Sequence, residues 1–227
     1  MLPATLKAVN VNMRWPSFSF FKNFVKTLHF RIYNDGMKEG KGKNRNPVIT
    51  TKNGDDGTTG MFLGGRVLKN DERVEAFGAI DEAISSLGFA RSLISDLKIK
   101  AIVENLQRDL FIVGAELATL KINWSKLAET GQIVSESMVL KIEELQESLY
   151  ACIELPKSFI VPGDSQESAV IDISRTLIRK AERKLIILIK NNEVENPNLL
   201  RYLNRASDLA FVLARYLDKN KPYNKLH

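Results

Sequence analysis

The sequence predicts an all-α fold, an up-and-down bundle of five helices. From Asp71 onward apolar residues recur every three to four positions, in runs of about 18 to 26 residues. Residues that cap or interrupt helices stand at the ends of those runs. With 227 residues, 44% hydrophobic and 26% charged, the chain is long and apolar enough for one sizeable core.

The elements follow in order. Residues 34 to 47, NDGMKEGKGKNRNP, form a linker rich in Gly, Lys and Asn, and folded structure begins near Val48. TTKNGDDGTTGMFLGG, from Thr50 to Gly65, breaks helix and strand periodicity alike and is predicted as an ordered loop. Asp71 or Asn70 caps a first helix to about Ser95, with Val74, Phe77, Ile80, Ile84, Leu87 and Phe89 as its apolar stripe. A second helix, from Ile99 to about Leu120, aligns Ile102, Val103, Leu106, Leu110, Val113 and Leu117. A third, from Ser135 to about Cys152, carries Met138, Ile142, Leu145 and Leu149 and ends before Pro156. After the connector SFIVPGDS, a fourth helix runs from Ser165 to about Lys190. The last begins at Asn196, a cap with Pro197 in the first turn, and continues to about Asp218. The organisation is thus a basic N-terminal segment with linker, 1–47, one helical domain, 48–218, and a C-terminal tail, 219–227.

Charge is unevenly spread. Residues 1 to 46 hold nine basic residues and two acids, whereas the remainder holds 24 basic and 25 acidic residues. A near-neutral folded part argues against nucleic acid as a partner, because counterion release needs a broad basic surface. Residues 1 to 34 carry five basic residues, five phenylalanines and no acid, a mitochondrial presequence pattern that points to the matrix, with the cytoplasm as the alternative. No apolar run reaches the roughly 20 residues that cross a membrane. Cys152 is the single cysteine, and the two histidines, His29 and His227, lie near the termini. An intramolecular disulfide and a CxxC metal site are therefore excluded, histidine-based acid–base catalysis in the core is not expected, and no protein metal site is predicted.

The chemistry-bearing segment is ISRTLIRKAERKLIILIK, where Arg175, Arg179, Lys180 and Arg183 face one nearby acid, Glu182. At about 100° per residue, Arg175, Arg179 and Arg183 fall within about 80° of each other, while Leu177, Ile178, Ala181, Leu185 and Ile189 fall on the opposite arc. Lys180 stands aside. On the last helix Asn204, Asp208, Phe211 and Arg215 share one face, and Asp81 interrupts the apolar run FGAIDEAI of the first. A solvated face is the plain reading of such a stripe; convergence of the three faces would instead make a cation-rich pocket. The Gly/Thr loop can present backbone N–H groups and hydroxyls to phosphate, although it is not a Walker A motif.

Five segments in order, TKNGDDGTTGMFLGGRVLKNDERVEAFGAIDEAISSLGFAR, LQRDLFIVGAELA, FIVPGDS, SRTLIRKAER and YLNRASDLAFVLARYL, closely resemble the signatures of the PduO-type ATP:cob(I)alamin adenosyltransferases, over roughly residues 48 to 218. The resemblance implies a homotrimer of five-helix bundles with active sites between subunits. It implies transfer of the 5′-deoxyadenosyl group of ATP, with Mg2+, to cob(I)alamin, giving adenosylcobalamin and triphosphate. The nucleophile is then Co(I) attacking the ribose C5′, so no enzyme nucleophile is required, in keeping with the absence of a core histidine.

Carried over by motif, the resemblance places Thr51, Lys52, Asn53, Gly54 and Thr59 on the ATP loop and Lys69 on the phosphates. Arg179, Lys180, Glu182 and Arg183 match an ATP-binding signature, and Asn204 an ATP-contacting amide. Phe159 matches the aromatic that displaces the lower axial ligand of cobalamin, and Phe211 a contact near the corrin. Asp81 and Arg175 match an intersubunit salt bridge that shapes the cobalamin pocket. Arg179 and Phe159 are the residues on which catalysis rests in this resemblance. Lys180 departs from a more common arginine, Asp164 from a common glycine, and Ala83 and Ala206 from bulkier residues. A corrinoid reductase and a cobalamin-dependent mutase are the implied partners. The alternative function is a non-catalytic corrinoid carrier that delivers adenosylcobalamin to a mutase.

Overall fold

The computed structural model describes residues 50, 52–155 and 157–225. The chain divides into two units, Met1–Asn53 and Gly54–His227, and every element below belongs to the second. The basic N-terminal segment, Thr51 and Pro156 lie outside the described residues.

Helix α1, Glu72–Leu93, starts where Asp71 accepts a hydrogen bond from the Arg73 N–H at 2.8 Å. Helix α2, Leu97–Leu117, is capped by Asp96. The three-residue link between them turns the chain back on itself, as short helix connections do. Helix α4, Glu136–Tyr150, is capped by Ser135, and α5, Gln166–Lys190, by a reciprocal pair of Ser165 and Ser168. Helix α6, Pro197–Leu217, has Asn196 as cap and Pro197 in its first turn. Each cap satisfies N–H groups that the first turn leaves without partners, a contribution of about 1 kcal/mol apiece.

Two expectations are corrected. The described residues contain six α-helices: α3, Trp124–Thr130, follows a 3-10 turn at Lys121–Asn123 and is closed by Gly131 in the left-handed region at φ 67°. Seven residues span two turns, too few for an apolar period to declare itself. The Gly/Thr segment, in turn, is a small antiparallel hairpin, β1 Thr58–Gly60 and β2 Arg66–Leu68, with Thr59 opposite Val67. Three-residue strands cannot show alternation; buried Met61 and Phe62 anchor the hairpin instead, the Phe62 N–H donating to the Ala118 carbonyl at 2.9 Å. Gly65, at φ 95°, rests against the Leu120 side chain, where any Cβ would collide.

Helix α5 packs most heavily on α1 and α6, while α2 lies against α1 and α4 against α6. The core between them is continuous, with Val103, Leu110, Leu117, Ile178, Leu185, Leu203 and Leu213 fully enclosed. On α1 the buried stripe is Ala76, Ile80, Ala83, Ile84, Leu87 and Ala90; Phe89, predicted in it, is 58% exposed because it lies about 200° around the helix from Leu87. The small alanines let α5 approach closely.

Arg73 is the main polar fastener. Only 2% exposed, it donates to the carbonyls of Leu117, Thr119 and Glu193 and to the Glu193 carboxylate at 2.7 to 2.9 Å. It thereby joins the start of α1 to the end of α2 and to the α5–α6 connection. Glu116 does similar work nearby, accepting from the Val134 N–H and from the Asn196 side chain that caps α6. No helix among the described residues is long and apolar enough to cross a membrane.

Candidate active site

The cationic stripe of α5 is divided by its surroundings. At its N-terminal end Arg175 donates from Nε to Asp172 Oδ1 at 2.9 Å, and Arg215 of α6 donates to Asp172 Oδ2 at 2.7 Å. Asp172 and Arg215 have side-chain exposures of 6% and 1%. This corrects the reading that Glu182 is the only acid near the stripe: Asp172 lies at i−3 from Arg175, hidden in the apolar-looking VIDIS. Arg215, placed by helical spacing on the same face as Asn204, is thus absorbed into a closed pair.

Lys180 turns away from the arginines and towards α1, where its ammonium reaches both Glu82 oxygens at 2.7 and 2.9 Å. Its position about 140° around the helix from Arg175 explains the direction. Lys184 pairs with Glu75 in the same way one turn later.

Arg179 and Arg183 are different. Both are exposed, the Arg179 guanidinium lies 4.0 Å from Glu182, and Arg183 has no hydrogen-bonding or ionic partner among the described residues. Glu182 is held from α6 by the Asn204 amide at 3.2 Å, and Asn204 in turn accepts from Arg205 at 2.7 Å. Asp208 completes this face. Burial pushes its carboxyl up and Glu182 adds to the rise, against the pull of Arg205 and Arg179. The result is an open surface with two exposed guanidinium groups, Arg179 paired only loosely with Glu182 and Arg183 with no partner among the described residues, framed by Glu182, Asn204 and Asp208. Guanidinium forks of this kind suit phosphate oxygens.

A second group lies in the hairpin. The Gly54–Gly57 turn closes through the Gly57 N–H on the Gly54 carbonyl, and the Lys69 N–H donates to the Gly57 carbonyl at 2.9 Å. The Lys69 ammonium folds back over Gly54, so closely that a Cβ there would stand 3.2 Å from Nζ. Asp56 accepts from the Thr58 N–H and hydroxyl, which hold its carboxyl below the usual range, and Thr59 is half-buried in β1. Lys52 and Asn53 belong to the first unit, where Lys52 is exposed at φ 58°.

The third group comprises the predicted corrinoid residues. Phe159 is 83% exposed on the connection between α4 and α5. Phe211 is half-buried against the core, with the Arg215 guanidinium 5.5 Å from its ring centre. Asp81 is exposed and has no partner within the described residues, so Asp81 and Arg175 do not pair inside one chain.

Known proteins similar to this chain belong to one family. The family model for cobalamin adenosyltransferase matches residues 49–217. A corrinoid adenosyltransferase of Citrobacter freundii is 36% identical over 167 residues, covering 74% of this chain and 93% of the relative. A longer relative from the same organism, corrinoid adenosyltransferase PduO, is 34% identical over 179 residues; the chain spans about half its length, 52%, with 79% of the chain covered. Among solved structures, a variant PduO-type ATP:corrinoid adenosyltransferase from Lactobacillus reuteri, complexed with cobalamin and ATP, superposes with a TM-score of 0.70 at 30% identity, over 79% of this chain and 99% of that one. With most of its helical domain matched by the family model, this chain belongs to the cobalamin adenosyltransferase family.

Proposed function

We infer that this chain transfers the 5′-deoxyadenosyl group of ATP to cob(I)alamin, forming adenosylcobalamin and releasing triphosphate. The observation that carries the reading is the pair of exposed guanidinium groups beside Glu182 and Asn204, Arg183 without a partner among the described residues and Arg179 only 4.0 Å from Glu182, while their neighbours Arg175 and Lys180 are held by carboxylates at 2.7 to 2.9 Å. In the reaction a Co–C5′ bond forms and the C5′–O5′ bond breaks, the electron pair leaving with triphosphate. Arg179 and Arg183 offset that developing charge, Lys69 over the Gly54 turn holds phosphate, and Mg2+ accompanies the nucleotide. Thr51, Lys52, Asn53 and Thr59 contribute to the ATP loop, and Asn204 contacts ATP while steadying Glu182. Lys180 has the smaller part, since Glu82 already takes its ammonium. Phe159 covers the lower face of the corrinoid and Phe211 lies near the ring.

The active assembly is a homotrimer with sites between subunits, in which Asp81 of one subunit meets Arg175 of another. The exposed Asp81 and the exposed apolar Phe89 and Ile173 on α1 and α5 support a partner surface there. The catalytic domain is taken as 48–218, and the basic N-terminal segment as a mitochondrial targeting sequence. A reductase supplies Co(I) and a mutase receives the product.

Purified protein given ATP, Mg2+ and chemically reduced cobalamin will show the absorption spectrum of adenosylcobalamin; an unchanged spectrum under strict reduction refutes the reading. A non-catalytic carrier would bind cobalamin but give no heat with ATP in titration calorimetry.

A further inference from the structure

Phe159 stands on a connection, residues 151–165, whose described residues form no helix or strand element, and its ring is 83% exposed. An aromatic group in that setting can take one orientation towards a ligand only if the backbone beneath it is held, since an unanchored loop loses that orientation to conformational entropy.

The hold comes from the far end of the chain. After α6, residues 218–225 double back over the connection. The Val161 N–H donates to the Asn224 carbonyl at 2.8 Å, and Ile160 forms an antiparallel bridge with Lys225. Lys221 supplies the polar contact at the base: its ammonium donates to the Asp164 carbonyl at 2.7 Å and lies 3.8 Å from Asp218 Oδ1.

Asp218 explains why a lysine stands there. It is completely buried, and neither carboxylate oxygen has a hydrogen-bond partner among the described residues. Among the described residues Lys221 is the one cation within 4.0 Å of it. A buried carboxylate without a counter-charge is costly, so the strap is drawn to the position in which the Lys221 ammonium serves Asp218 and Asp164 together.

We propose that Lys221 is a positioning residue for Phe159: anchored on buried Asp218, it pins the C-terminal strap to the Asp164 carbonyl and fixes the loop that presents the ring to the corrinoid. This rests on the corrinoid reading of Phe159 given above. Lys221→Met then raises the KM for cob(I)alamin about tenfold, the loss of one charge-assisted hydrogen bond, while the KM for ATP stays within about twofold. Lys221→Arg restores the wild-type value.

Amide hydrogen exchange of residues 157–163 in the ligand-free protein supplies a readout independent of the reaction. Exchange there quickens about tenfold in Lys221→Met, returns to the wild-type rate in Lys221→Arg, and is unchanged across α2. If Lys221→Met does not fold, the Asp218→Asn/Lys221→Met double variant replaces it, because no buried carboxylate is then left without its counter-charge. Unchanged exchange at 157–163 overturns the proposal, as does quickened exchange with an unaltered KM for cob(I)alamin. A wild-type protein that makes no adenosylcobalamin refutes the enzymatic reading instead, and the exchange measurement still decides whether Lys221 pins the loop.

Discussion

Helices α5 and α6 carry two charge clusters of similar composition and opposite character. At one end Asp172 joins buried Arg215 to half-buried Arg175; at the other, Arg179 and Arg183 lie in the open with Glu182 only at the edge of ion-pairing distance. Burial makes the difference. A guanidinium inside the protein must be matched by a carboxylate, because low dielectric magnifies both the attraction and the cost of leaving either partner alone. A guanidinium at the surface stays solvated and remains available to an anion that arrives later. The first cluster shapes the fold, and the second is suited to a polyphosphate.

Four substitutions test that contrast, in order of decreasing effect. Asp172→Ala strands Arg215 in the core and lowers unfolding free energy by about 3–5 kcal/mol, measured by chemical denaturation. A shift below about 1 kcal/mol would show that the closed cluster is not closed. Arg179→Ala has the reverse profile: turnover falls about 100-fold or more, while stability changes by no more than about 0.5 kcal/mol. Comparable losses of stability in both variants would erase the distinction.

Asp109 sharpens it with a buried acid that takes its hydrogen bond from a tyrosine hydroxyl. It accepts from the Tyr202 hydroxyl at 2.9 Å, its other oxygen has no hydrogen bond, and burial pushes its carboxyl up to about 6. Because the folded value lies above the ordinary 3.8, the stabilising contribution is complete below that value and is lost as pH rises through about 6. Asp109→Asn removes the dependence. Relative to wild type, the variant therefore gains on the order of 1–3 kcal/mol between about pH 4 and 7, read from melting temperatures across that range. Parallel curves would refute the assignment. The smallest effect belongs to Lys180→Met, which breaks the exposed pair with Glu82: stability falls by less than about 1 kcal/mol and the KM for ATP changes less than about twofold. A large rise in that KM would return Lys180 to the phosphate-binding group.

Local signals were the legible part of this protein. Asp71, Ser135, Ser165 and Asn196 announce their helices because a cap acts within three residues of itself, and Pro197 marks its own first turn. The alignment of Arg175, Arg179 and Arg183 follows from helical geometry alone. Phe89 shows the limit of that reasoning: its apolarity suggested the core, yet small Ala83 and Ala90 occupy the buried face. The three-residue strands and the seven-residue α3 were too short for any period to appear.

By itself, then, the sequence determined the long helices, their caps, the cationic face and the family signatures, all of which depend on residues close together along the chain. Only the tertiary structure decided which cations are spoken for. Glu82 meets Lys180 across 98 residues, Arg215 meets Asp172 across 43, and Lys221 meets Asp164 across 57. Those pairings depend on how helices and loops from distant parts of the chain pack, and the strength of each depends on burial, which no spacing rule contains.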